Sequence, residues 1–373
     1  MPRPIRGKAV SGVRHRTADR APGPRQPGRM AGRRSLHVVV AGGGPAAAEA
    51  ALALREHAGD RVRLTFVAPE PRVVAAQRPA LARVPEPFRD RHAHRSSIRA
   101  VAAETGGAVR RGRVAAVDGE GHRVRLADRR WADYDALVLA VGARPRPAYE
   151  RALTFFGKAG AVAVNRLAAD AGGGYTRAVA FVVPPGMTWP LPLYELAIQT
   201  AAALRDAGHD LALRLVTPEL APLAAFNAGS QAAVAALLEE AGVRFTGSTA
   251  VVATPDGGLR EGRDGPPLPE DRVVALPVLD GPALPGVPAT DDGFVLVDRL
   301  GAVPGLADVF AAGDATRSPA KHLDAARAQA GVVAATLAAR AGAHVPPAPP
   351  AIAVRTHLLA GGGRTLVLER VLC

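Results

Sequence analysis

Cysteine occurs once in the 373 residues, at Cys373. A single thiol excludes a disulfide framework and internal dithiol chemistry, and the expected setting is a reducing cytoplasm. Aromatic residues are scarce as well, nine Phe, four Tyr and two Trp. The 48% of hydrophobic residues is therefore carried by Ala, Val and Leu, the side chains of buried parallel strands and close-packed helices. That excludes a disordered chain and favours an α/β enzyme. An apolar run able to span a membrane is also missing: 178–194 contains four prolines, and 220–238 carries Asn227, Gly229, Ser230 and Gln231. No integral membrane segment is expected.

Lysine is nearly absent, with Lys8, Lys158 and Lys321 among 47 basic residues. The net charge of +13 is unevenly spread, because residues 1–35 hold ten basic side chains against Asp19 alone. Such a Pro-, Gly- and Arg-studded stretch predicts a disordered basic tail over 1–35, with Met30 as an alternative natural start. The body that remains is only mildly basic, so no nucleic-acid partner is expected. Arg33-Arg34 precede the apolar Leu36–Ala41, but three glycines interrupt that run and no cleavage region follows. An export signal is therefore not the reading adopted. His92 and His94 lack a third ligand, and no metal site is expected.

Chemistry begins at Leu36–Ala41, a short buried strand that runs into Gly42-Gly43-Gly44-Pro45-Ala46-Ala47 and then a helix to about His57. This is GxGxxA at a β-α turn. Gly42 serves the tight turn, Gly44 lets backbone approach a pyrophosphate, and Ala47 lets helix and strand pack closely, with the helix N-terminus stabilising phosphate charge. A second strand, Val62–Val67, is followed by Glu70, the candidate for a ribose hydroxyl. The position more usual for that acid is Ala68, so Glu70 has to reach across Pro69. Ser96-Ser97 introduce a helix, and 113–118 with 122–127 read as a hairpin. A buried strand, Ala136–Val141, then ends at Gly142.

From Thr176 to Leu276 the pattern restarts, with strands at Ala178–Val183 and Leu211–Thr217 and helices from Pro192 and Ser230. Ala68-Pro69-Glu70 and Thr217-Pro218-Glu219 close corresponding strands, which suggests an internal duplication. The turn differs, because Pro184-Pro185-Gly186-Met187-Thr188-Trp189-Pro190-Leu191-Pro192 removes amide donors where a dinucleotide needs them. Finally Gly305–Ala312 reads as a strand, followed by Gly313-Asp314 and an Ala-rich helix from Lys321 to Arg340. The expected fold class is α/β with two Rossmann-like domains, the second inserted in the first. Residues 36–150 and 277–345 form the first domain, 151–276 the second, and 346–373 a short C-terminal segment.

Three segments in order, VVVAGGGPAAAEA at 38–50, DYDALVLAVGARP at 133–145 and LADVFAAGDAT at 306–316, resemble the pyridine nucleotide-disulfide oxidoreductase superfamily of two-domain FAD flavoproteins. Arg78-Pro79 and Tyr194-Glu195-Leu196 are similar to its sulfide:quinone reductase and type II NADH dehydrogenase branch. The resemblance implies FAD as cofactor, held at Gly42, Gly44, Pro45, Ala47, Glu70, Arg78, Gly142, Gly313, Asp314 and His322. Lys321 is implied beside the isoalloxazine, where a cation and a helix N-terminus stabilise the reduced ring, and Glu195 at the flavin face. With Cys373 alone, sulfide oxidation through redox cysteines is not expected.

The leading expectation is an FAD-dependent oxidoreductase passing two electrons to a quinone-like or protein acceptor. One alternative is an NAD(P)H-dependent reductase of a ferredoxin-type carrier, with NAD(P)H as second cofactor. The other is a degenerate module that binds flavin without catalysis, motivated by Leu323-Asp324, Ala68 and the missing glycines of the second turn. A homodimer is compatible with each reading.

Overall fold

A computed structural model of the chain describes residues 35–69, 97–156, 167, 170–345, 352–360 and 364–372. The described residues fall in one compact unit, Ser35–Cys373. Strand β1 (Leu36–Ala41) is apolar except for His37 and fully buried from Val38 onward. Helix α1 (Pro45–Ala58) carries Pro45 in its first turn, where a missing amide breaks no intrahelical bond. Next come β2 (Val62–Ala68), α2 (Ile98–Thr105) and β3 (Ala108–Arg111). Ser97 caps α2 as expected, its hydroxyl accepting from the Ala100 amide at 3.1 Å. The predicted hairpin is present as β4 (Val114–Asp118) and β5 (Arg123–Leu126), joined by β6 (Trp131–Asp133) into an antiparallel meander. Strands β7 (Ala136–Leu139), β8 (Arg144–Arg146) and β9 (Leu153–Thr154) complete this half.

The second run contains β10 (Ala178–Val182), α3 (Leu191–Asp206), β11 (Ala212–Val216), α4 (Ala228–Ala241) and β12 (Val243–Thr246). A small hairpin follows, β13 (Val251–Ala253) with β14 (Leu259–Glu261), then β15 (Arg272–Ala275) and β16 (Val278–Asp280). Last come β17 (Val309–Ala311), α5 (Leu323–Arg340), β18 (Ile352–Leu359) and β19 (Thr365–Leu372).

Two five-stranded parallel sheets organise these elements, in the orders β3-β2-β1-β7-β17 and β12-β11-β10-β15-β9. Four strands of each correspond, β3-β2-β1-β7 with β12-β11-β10-β15, each with an antiparallel excursion before the fourth, while the edge strand is the late β17 in one sheet and β9, which precedes β10, in the other. Because β17 pairs with β7 across the whole second run, the second Rossmann-like unit is inserted in the first. Antiparallel β8 and β16 pair where the chain leaves and returns.

One face of the first sheet packs under α1 and α5 through small side chains, with Val38, Val40, Ala47, Ala51 and Leu54 against Ala330, Val333 and Leu337. Alternate residues Val39, Ala41, Leu137 and Leu139 face the meander. The second core includes a contribution from the chain end, since Leu358 and Leu368 of an antiparallel hairpin of two eight-residue strands are fully buried in it. Sequence reading placed no element there.

Candidate functional site

In the first sheet, chain order runs outward from β1 to β3 and then resumes on the other side with β7, so the topological switch lies between β1 and β7. Ligands of open α/β sheets bind outside the carboxyl ends of the strands at such a point. Four predicted glycines stand at those ends. Gly42 follows β1 with φ +145, its amide donates to the Val67 carbonyl at 2.9 Å, and an added Cβ would lie 2.1 Å from the Ala140 oxygen. Gly44 is the N-cap of α1, no side chain caps that end, and space within 4 Å of its Cβ direction is open. Gly142 follows β7 with φ +74. Gly313 follows β17 with φ +76, and a Cβ there would meet the Ala46 Cβ at 2.9 Å. The turn bearing Asp314 is thus pressed against the first turn of α1. Ala47, fully buried, provides the close packing expected of it, and Pro45 opens the helix.

Asp314 is half-buried, and among the described residues no side chain or backbone amide donates to its carboxylate. Burial pushes its pKa up, partly offset by the Lys321 ammonium. A half-buried carboxylate with no protein donor is open to accept from a ligand's hydroxyl groups. Uncapped helix amides, glycine-lined backbone and an acceptor awaiting hydroxyls form the donor set of a dinucleotide's pyrophosphate and sugar chain. These residues fit FAD.

Several predicted residues are engaged differently from expectation. Lys321 Nζ donates to the carbonyls of Asp314 at 3.0 Å and Thr316 at 2.5 Å, and lies 3.7 Å from the Phe294 ring centroid. Burial pushes its pKa down to about 8, against the pull of Asp314 and Asp292. The Lys321 ammonium thus sits behind the Asp314 turn. Helix α5 begins at Leu323, two residues later than predicted, because His322 caps it with Nδ1 accepting from the Asp324 amide at 3.3 Å. The same ring stacks on Trp189 at 4.6 Å and approaches the Thr356 hydroxyl at 3.4 Å. Glu195 is 3% exposed and accepts the Leu359 amide of the C-terminal hairpin at 3.0 Å. Strand β2 ends at Ala68, whose carbonyl accepts from Gly112 at 2.9 Å, so the terminal strand position carries no acid. Glu70 and Arg78 lie outside the described residues.

Sequence reading missed three participants. Gln329, one helical face along α5, accepts the Gly313 amide at 2.8 Å and lies 3.4 Å from the Thr316 hydroxyl. Phe294 supplies the ring beneath Lys321. Glu219 accepts from the Tyr194 hydroxyl at 2.7 Å, the Thr217 hydroxyl at 3.1 Å and the Ala224 amide at 3.0 Å. Of these, only Glu219 carried a signal, the repeated x-Pro-Glu.

The equivalent crevice of the second sheet is filled by the protein itself. The Val183 amide donates to the Val216 carbonyl at 2.9 Å, as Gly42 does to Val67, so Val183 occupies the place of the first glycine. Its side chain is buried, and Trp189 packs on Phe226 at 5.6 Å. Helix α3 starts only at Leu191, behind a proline N-cap. Fully buried Tyr194 covers Glu219, the acid after β11. Burial raises the Glu219 pKa, opposed by its hydrogen bonds.

Two Rossmann-like units in one chain, with a dinucleotide cradle at the switch point of the first, define a two-domain dinucleotide-binding fold. Residues 36–179 match the family model of pyridine nucleotide-disulphide oxidoreductases, the superfamily expected from the three ordered motifs. The sulfide:quinone oxidoreductase of Aquifex aeolicus superposes with TM-score 0.72 at 17% identity, covering 90% of this chain and 87% of that one. Putidaredoxin reductase, from its covalent complex with putidaredoxin, gives 0.60 at 21% identity over 88% and 80%. A ferredoxin reductase from Rhodopseudomonas palustris gives 0.58 at 21% over 86% and 79%. No curated protein matches the chain by sequence. Among the described residues no helix is long and apolar enough to cross a membrane.

Proposed function

We propose that the protein is an FAD-dependent oxidoreductase that passes two electrons through its flavin to a quinone-like or protein acceptor, from a donor other than free NADH or NADPH. The observation that carries this reading is a contrast between two crevices. In one, glycines and an uncapped helix stand beside the Asp314 carboxylate, which accepts no hydrogen bond from the described residues. In the other, Val183, Trp189 and Tyr194 occupy the corresponding positions.

Gly42 and Gly44 bring backbone to the pyrophosphate, Pro45 and Ala47 set the helix that receives it, and Asp314 accepts from ribityl hydroxyls. Glu70 is the proposed partner of the adenosine ribose, and Arg78 and Gly142 complete the seat. When bound, FAD supplies a ring that takes up and releases an electron pair. Glu195 and His322 tie the C-terminal hairpin to α3 and α5, enclosing the region beside the α5 N-terminus. The neighbours named for quinone and for putidaredoxin or ferredoxin are in keeping with either acceptor class. Because Cys373 is the only cysteine, no dithiol step is proposed, and the cytoplasm is the proposed compartment.

An anaerobic visible spectrum of the purified protein tests this. A flavin band that neither NADH nor NADPH bleaches, and that after photoreduction is reoxidised by a short-chain quinone or a ferredoxin, is expected. Bleaching by either nucleotide establishes the NAD(P)H-dependent reductase instead. Colourless protein that FAD cannot reconstitute overturns both.

A further inference from the structure

The turn that carries Asp314 is held on all sides by groups that do not themselves face a ligand. Gly313 donates its amide to the Gln329 side-chain oxygen at 2.8 Å. Thr316 returns its hydroxyl to the Gly313 carbonyl at 2.9 Å. The Ala315 carbonyl accepts from Val295 at 2.8 Å, and Lys321 takes the Asp314 and Thr316 carbonyls. Three donors of one ammonium are thus committed to two carbonyls and a ring face, an arrangement that fixes a turn and leaves nothing for a substrate. Opposite charges beside Lys321 are Asp314 on the turn itself and Asp292 on the loop before Phe294. His322, its chain neighbour, is committed to the α5 cap.

We propose that Lys321 and Gln329 are positioning residues for the flavin, which act on it through the Gly313–Thr316 turn by presenting the Asp314 carboxylate to the ribityl hydroxyls. This rests on the function proposed above, and it moves Lys321 from the ring to the back of the turn. The Lys321 charge favours ionised Asp314, the form that accepts hydroxyl hydrogen bonds, and an incoming pyrophosphate favours the charged lysine in return. Binding of FAD is therefore coupled to the lysine proton, and affinity falls as pH rises through the Lys321 titration near 8.

The test is FAD titration of the full-length apoprotein, followed by flavin fluorescence at pH 7 and pH 9. Wild-type affinity is expected to fall about fivefold between them, the value for a lysine whose pKa rises by about one unit, from about 8, on binding. Lys321→Met should bind about tenfold more weakly at pH 7 and show no fall, converging with wild type at pH 9. Gln329→Met should weaken binding but keep the pH dependence, and Gln329→Glu, which retains an accepting oxygen, should restore most of the affinity. A folded Lys321→Met protein with wild-type affinity and profile overturns the proposal, and Lys321→Gln serves if the methionine variant does not fold.

If wild type takes up no FAD at any pH, the function falls and the turn is judged alone, by hydrogen exchange at the Gly313 amide. Faster exchange in Gln329→Met than in wild type upholds the clamp. Equal exchange overturns it.

Discussion

A methyl group placed on Gly313 would press on Ala46, whereas one placed on Gly44 would meet nothing within 4 Å. Both glycines border the same cradle, so the contrast separates folding from binding. Gly313→Ala combines that contact with a left-handed backbone, and is expected to cost about 1–3 kcal/mol in urea unfolding. Gly44→Ala should leave apoprotein stability within about 0.5 kcal/mol, because its φ of −96 suits any residue. Its methyl would nevertheless stand where a pyrophosphate approaches, and weaker FAD binding in fluorescence titration is the expected result. Lys321 gives a second residue-scale prediction with opposite signs for fold and ligand. Its folded pKa, about 8, lies below the ordinary 10.5, so between those values the unfolded chain binds more protons. Apoprotein stability should then rise with pH above about 8 while FAD affinity falls. Urea melts at pH 7.5 and 9.5 check this, and Lys321→Met should remove the rise. The sequence made the glycines and Asp314 legible, because their roles are local and follow from spacing. It could not place the Lys321 ammonium, since the partners that claim it, Phe294 and two backbone carbonyls, are set by tertiary packing.

At the scale of elements, most apolar strands and Ala-rich helices were legible, although the strand read over Gly305–Ala312 shortens to β17, Val309–Ala311. Leu36–Ala41 is β1 as read, and α4 ends at Ala241 as read. Their burial pattern and their glycine or proline boundaries are written in adjacent residues. The C-terminal hairpin was missed although it carried a signal, two apolar-polar alternations flanking Gly361-Gly362-Gly363. A two-stranded ribbon is marginal by itself, and the packing that rescues it comes from the distant α3 and α5. Leu358 and Leu368 are buried there, while the Leu359 amide reaches Glu195 across 164 residues. Leu358→Ala is therefore expected to cost about 2–5 kcal/mol in chemical denaturation. Val367→Ala, on the exposed face, should stay within about 0.5 kcal/mol. Equal effects at the two positions would show that the ribbon does not dock as described.

Across the whole molecule, the correspondence of the two sheets turns one half into a control for the other. Matching hydrogen bonds place Val183 against Gly42 and Val216 against Val67, and the orders agree over four strands, β3-β2-β1-β7 with β12-β11-β10-β15. What differs is occupancy. The first half leaves three residues, Gly42–Gly44, between strand and helix, while the second inserts Val183–Pro190 and fills its crevice with Trp189 and Tyr194. Loss of glycines alone would be a partial change, reversible by restoring them. Here a second barrier exists, because the Tyr194 hydroxyl already satisfies Glu219 and the Leu223 amide lies 3.4 Å from it. Grafting Val183→Gly with Pro185→Gly should therefore not create nicotinamide binding, and NADH fluorescence should remain unchanged up to millimolar protein. Adding Tyr194→Ala to the graft uncovers Glu219 at a cost of several kcal/mol, about 3–5 for a large buried aromatic, and is the variant in which weak NADH binding is expected. Binding by the glycine graft alone would show that the loop was the whole barrier and that Tyr194 is incidental to it.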